Sequence, residues 1–221
     1  MIPPVLSSLN REKILRALQI PAQNPLSDQL NEQISRCEEE VLRCALVRFT
    51  IRIRPVEEIR PILLGNDILR LLDGCQEAVL MALTLGTALE KLLMREEVTN
   101  MSDAYVLDIL ASLAVEEAAD DLERQIKEKV RSEGKYLTNR YSPGYGDFPI
   151  EVQRQLLDYL NAGRAIGLTL TPTNLMVPRK SITAVLGISS VPKPDIYGNC
   201  IHCPLQTKCA WRARGERCYQ S

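Results

Sequence analysis

Apolar positions along the chain recur at helical spacing in some stretches and alternate strictly in others, and these two periods mark out most of the elements. Ile14, Leu15 and Leu18 share one face of a short helix that Asn10 can cap. Leu30, Ile34 and Cys37 mark a second helix, from a cap at Ser27 to about Val41, with a solvated acidic run at Glu38 to Glu40. Residues 46–54 alternate instead: Val47, Phe49, Ile51 and Ile53 interleave with Arg48, Arg52 and Arg54, which reads as a half-buried strand with a solvated arginine face, ended by Pro55. A short helix over residues 66–73 stops at Gly74, and EAVLMALTLG at residues 77–86 is continuously apolar, as expected of a strand covered on both faces. Thr87 to Arg95 returns to helix.

Residues 102–132 carry the longest helical pattern, with Ser102 as expected cap and Asp103 in the first turn, where the helix dipole favours an acid. Its first half is small and apolar, its second half charged, so the first half is expected to be buried. A helix over residues 150–162 should end near Gly163, and IGLTLT (166–171) and SITAVLGIS (181–189) read as strands. From Val191 the texture changes to a Pro- and Gly-containing linker and then a cysteine-rich tail. Strands dispersed among helices predict an α+β fold, with a mixed or antiparallel sheet and helices packed on it, over residues 1–190, and a separate small tail over residues 191–221.

Composition narrows the function classes. A formal net charge of -1 and a pI near 6.0 argue against a general nucleic-acid binder, whose affinity comes from clustered Lys and Arg on phosphates; the stripe Arg48, Arg52 and Arg54 is the main basic feature. No apolar run reaches the roughly 18–20 residues that span a bilayer, and the N-terminus lacks the pattern of a secretory signal, so a cytoplasmic location is expected. Cys37, Cys44 and Cys75 sit in apolar or helical surroundings and read as buried small hydrophobes. The single histidine, His202, lies in the tail, which leaves nothing for a histidine-based triad in residues 1–190.

The segment TNRYSPGYGDFPI at residues 138–150 holds three of the ten aromatic rings of the chain around Arg140. Proline fixes φ while Gly144 and Gly146 can adopt positive φ, so the loop should hold one conformation and present backbone groups, with a two-pronged donor, Arg140, beside it. By composition alone this is a tight structural turn with an arginine in a surface ion pair. However, RYSPGYGDFP resembles the R-x-x-x-G-Y signature of the activation domain of cobalamin-dependent methionine synthase. NREKILRAL, GTALEKLL, AYVLDILASLAVEEAADDLE and LTLTPTNLMVPRKSITAVLGI resemble further segments of that domain in the same order, from about residue 10 to 190.

The resemblance implies an activation-domain-like fold that binds S-adenosylmethionine and acts on cobalamin held by a partner, either a corrinoid protein or a truncated methionine synthase. In that chemistry one electron from a flavodoxin- or ferredoxin-like donor and the methyl of S-adenosylmethionine restore methylcobalamin from its oxidised Co(II) form. Carried over, Arg140 pairs with the ligand carboxylate, Gly144 and the backbone at Ser142 hold it closely, and Tyr145 lies between ligand and corrin. Asp120 or Glu117 on the long helix complements the ligand's positive charge. Such a protein is one component of a methyltransferase and no complete enzyme. A reactivator of another corrinoid methyltransferase, or a non-catalytic redox adaptor, is the alternative.

Cys200, Cys203, Cys209 and Cys218 fall close enough in sequence to close around one metal centre. Four thiolates suit a 4Fe-4S cluster or zinc; a cluster would serve electron delivery, whereas zinc would staple the tail. His202 is an alternative ligand to Cys218.

Overall fold

The computed structural model describes residues 1–20, 26–193 and 207–208. Asn10 caps α1 (Arg11–Ala17) by accepting from the Lys13 N–H, and Ser27 caps α2 (Asp28–Cys44) by accepting from Leu30, both as their positions predict. The alternating arginine segment forms β1 (Arg48–Pro55), followed by α3 (Val56–Ile59), a single 3-10 turn (Arg60–Ile62) and α4 (Asn66–Leu71). The apolar run is β2 (Glu77–Thr84), and α5 (Thr87–Thr99) leads across Asn100 into α6 (Met101–Ser132), a 32-residue helix. After β3 (Tyr136–Leu137) come α7 (Val152–Leu160), α8 (Ala162–Ile166), a small ladder of β4 (Thr169–Leu170) with β5 (Met176–Val177), and β6 (Ser181–Ser189).

The main sheet is antiparallel throughout, in the order β1-β2-β6-β3. It is covered on both faces, which is why β2 and β6 are apolar at nearly every position. Val79, Met81 and Leu83 of β2, with Ala184, Leu186 and Ile188 of β6, face a core made with α1, α2, α5 and α6. The alternate residues Ala78, Leu80, Ala82 and Val185 face a second core with α3, α4, α7 and α8. An α+β layered fold follows.

Several local expectations shift. Asn100, not Ser102, caps α6: its side chain accepts from the Asp103 N–H, and Ser102 lies inside the first turn. The buried stripe of α6 continues through Leu122, Ile126 and Val130, because these residues join the same core as β2 and β6. Gly163 does not end α7; the chain breaks earlier, at Asn161 with φ of 51°, and Gly163 lies within α8. Of residues 166–171 only Thr169 and Leu170 pair as strand, since α8 takes the start of the segment. Cys37 and Cys75 are buried as expected, whereas Cys44 is half-buried at the end of α2.

Candidate functional site

The 138–150 loop leaves the sheet beside α6, and the sheet itself fixes its first residues. The Thr138 N–H donates to the Gly187 carbonyl at 2.9 Å, and Tyr141 exchanges backbone bonds with Val185. Arg140, between these two anchors, is thereby aimed at α6. There its guanidinium meets three carboxylates: Glu123 at 2.8 Å through one nitrogen, Glu116 at 2.8 Å and Asp120 at 2.7 Å through another. Residues 116, 120 and 123 are spaced i, i+4 and i+7, so all three acids project from one stripe of the helix.

The environment of these acids is unequal. Glu123 has 19 % of its side chain exposed, against 55 % for Glu116 and 52 % for Asp120. Burial pushes the Glu123 carboxyl above its ordinary value, against the pull of Arg140. Burial also works against the Arg140 charge, but the bond to Asp120 and the fields of Asp120, Glu123 and Glu116 outweigh it and hold the guanidinium more firmly protonated. Lys13 of α1 stands 4.0 Å from Asp120. The cluster therefore sets Glu116, Asp120 and Glu123 against Arg140 and Lys13, with the field of Lys127 also acting on Glu123.

Beyond Arg140 the loop winds into successive tight turns. The Tyr145 N–H donates to Ser142, the Phe148 N–H to Tyr145, and the Gly144 N–H to the Phe148 carbonyl at 2.8 Å. Gly144 sits at φ of +93°, a conformation open to glycine and strained for other residues. Phe148 is buried and stacks on Tyr141, with ring centroids 6.2 Å apart, while Tyr145 keeps 64 % of its surface exposed above them.

What holds the loop down comes from far away in sequence. Asp147 accepts from the N–H groups of Asn66 at 2.6 Å and Asp67 at 2.9 Å, satisfying the free start of α4. These bonds, Asp67 first and then Asn66, depress the Asp147 carboxyl below its ordinary value. Glycine at 146 is required by this docking: it has positive φ, and a Cβ there would collide with the Asp67 carboxylate and the Tyr141 hydroxyl. The ring-lined loop is thus stiff because it is bolted to α4 and plugged into the core by Phe148.

The structure brings together Arg140 and Asp120, with Ser142, Gly144 and Tyr145 following in the turns after Arg140. Glu117 points elsewhere: it accepts from the Asn10 N–H and ties α1 to α6. Glu123 was not singled out from the sequence, although its spacing from Glu116 and Asp120 was the available signal. The anchor formed by Asp147 with Asn66 and Asp67 left no local signal, since 81 residues separate its ends. Cys200, Cys203, Cys209 and Cys218 lie outside the described residues, as does His202. Among the described residues no group of His, Cys, Asp and Glu side chains is arranged to hold a metal ion. No helix among them is long and apolar enough to cross a membrane.

No family model matches the sequence, and no curated protein matches it. Among solved structures, the chain is similar to the crystal structure of the MetH reactivation domain bound to AdoHcy, at 19 % identity and a TM-score of 0.46. That match covers 53 % of this chain and 41 % of the other.

Proposed function

We propose that the protein binds S-adenosylmethionine at the Arg140 loop and serves as the reactivating component of a cobalamin-dependent methionine synthase, donating the ligand's methyl to a cobalamin carried by a partner corrinoid protein. The observation that carries this reading is the charge of the site. Arg140 offers a fork for one carboxylate, and Glu116, Asp120 and Glu123 stand around it as acids that can face a cation. S-adenosylmethionine has the complementary inventory: one carboxylate, one ammonium and one sulfonium. Its demethylated product lacks the sulfonium charge, so the same field favours substrate over product.

In this reading Arg140 exchanges a helix acid for the ligand carboxylate. Glu116 and Asp120, both half exposed, are the ones that move, and their freed charges then face the ammonium and sulfonium. Glu123, the more buried acid, stays on the guanidinium and keeps it oriented. Gly144 and the backbone at Ser142 let the ligand approach closely, and the exposed Tyr145 ring presents an apolar surface to the corrin. Methyl transfer from a sulfonium to Co(I) uses the cobalt electron pair as nucleophile and leaves S-adenosylhomocysteine; the protein supplies placement and electrostatics and no general base. A flavodoxin- or ferredoxin-like donor supplies the electron that takes Co(II) to Co(I). The four tail cysteines, as ligands of a 4Fe-4S cluster or zinc, belong to the same proposal.

Titration calorimetry of the full chain tests it. S-adenosylmethionine is expected to bind more tightly than S-adenosylhomocysteine, with the preference shrinking as salt screens the site, and Arg140→Ala is expected to abolish both. Equal affinity for the two ligands would remove the electrostatic argument, and no heat with either would overturn the assignment.

A further inference from the structure

The outer edge of β1 is a long strand edge, unpaired among the described residues, with chemistry on both of its faces. β1 is the terminal strand of the sheet. The bonds from Val56 N–H to the Gln76 carbonyl and from Leu85 N–H to the Lys180 carbonyl fix the phase of the two ladders. In an antiparallel sheet hydrogen-bonded pairs alternate, so the even-numbered residues of β1 bond inward to β2. Phe49, Ile51 and Ile53 therefore turn their N–H and C=O groups outward. The Arg52 guanidinium donates to the Ile51 carbonyl at 3.4 Å, a bond that a docking strand would replace.

The two faces beside this edge differ. On the side of α7 and α8 stand Arg48, Arg52 and Arg54, all exposed, in the same row as Thr50, which bonds the Leu160 carbonyl. Arg54 has Glu58 at 4.0 Å, whereas neither Arg48 nor Arg52 forms an ion pair with any described residue. On the other side Ile51 and Ile53 open into a hollow that Val79, Ile126, Val130 and Ile188 line together with Met1 and the charged Glu77, Lys129, Glu133 and Lys135.

We infer that β1 is a docking edge for an extended segment of a partner protein in which acidic and apolar residues alternate. Such a strand completes the ladder through Phe49, Ile51 and Ile53, sets its acids opposite the arginine row and its apolar residues over the hollow. A second copy of this chain does not fit, because an antiparallel β1-β1 pair would set arginines against arginines. Nor does the chain's own C-terminal segment, which is basic by sequence at Lys208, Arg212, Arg214 and Arg217. Charged residues on an edge also discourage aggregation, but that role needs no hollow beside it.

The probe is a soluble peptide of alternating glutamate and valine, with a lysine-valine peptide as control, titrated into the full chain and followed by fluorescence anisotropy and amide hydrogen exchange. The expected result is binding of the acidic peptide only, weakened by salt, with new protection of the Phe49, Ile51 and Ile53 amides. Arg52→Glu should weaken it about tenfold or more, and Arg48→Glu at the strand end repeats the test if Arg52→Glu shifts the unfolding midpoint. Absence of binding, protection elsewhere, or equal affinity in both variants overturns the proposal. So does displacement of the peptide by oligothymidylate at equal charge, which would make the row a phosphate surface. Protection of the same amides in a peptide-free dimer would assign the edge to self-pairing.

Discussion

Replacing Arg140 by alanine leaves Glu116, Asp120 and Glu123 facing one another, with Lys13 beside Asp120 and the field of Lys127 on Glu123. The three losses are of different size. Glu116 and Asp120 are about half exposed and stay hydrated, so each contributes only the like-charge helix penalty of roughly 0.2–0.5 kcal/mol. Glu123, with 19 % exposure, loses the hydrogen-bonded guanidinium in a mostly buried setting, which costs about 1–3 kcal/mol. The sum, about 2 kcal/mol, corresponds to a fall of about 4–8 °C in unfolding midpoint for a chain of this size. The cost depends on pH with a definite sign. Burial already raises the Glu123 carboxyl above its ordinary 4.5, and losing Arg140 raises it further. A carboxyl raised in the folded state contributes stability below its unfolded value and loses it as pH rises through the folded one. The deficit of Arg140→Ala should therefore be small at a pH of about 4 and grow towards pH 7. Thermal unfolding by circular dichroism at both pH values measures it, and a double-mutant cycle with Glu123→Gln should return a coupling of about 1–2 kcal/mol. A deficit that is the same at both pH values, or a coupling within about 0.3 kcal/mol of zero, would refute the assignment of Glu123 as the buried partner.

Gly146→Ala should destabilise by about 1–3 kcal/mol, since it strains a positive φ and drives a methyl into Asp67 and Tyr141; chemical denaturation reads the change. Phe148→Ala, which empties a fully buried ring site at the base of the loop, should cost about 3–5 kcal/mol in the same assay. Asp147→Asn should lower stability near neutral pH and converge with the unmutated chain on acidification. The native carboxyl is depressed below its ordinary 3.8, so its stabilisation is present above that value and lost as pH falls through the depressed one. In alkylation followed by mass mapping at a pH of about 8, Cys44 should react well before Cys37, whose thiol is buried and pushed up to about 11 by that burial and by Asp103.

The sequence by itself determined whatever is decided within a few residues. The side-chain oxygens of Asn10 and Ser27 reach the N–H groups three positions on, so both caps were legible. Period-two alternation marked β1 as a half-buried strand, and an unbroken apolar run marked β2 as a strand covered on both faces, because side-chain direction along a strand is a local property; their places in the sheet came from the tertiary structure. The stiffness of SPGYG was legible for the same reason, since proline and glycine act on their own dihedrals. Where two caps compete locally, as Asn100 and Ser102 do at the start of α6, the pattern did not choose; the tight α5-α6 corner did. Tertiary structure alone decided what the loop rests on and what its arginine meets. Asp147 finds α4 across 81 residues, and Arg140 finds Glu123 across 17, because β6 carries the loop alongside α6 and sheet pairing over long separations leaves no trace in a local window. Thus the ion pair that composition alone suggests for Arg140 is present, but its partners are acids of α6 that no local window around the loop contains.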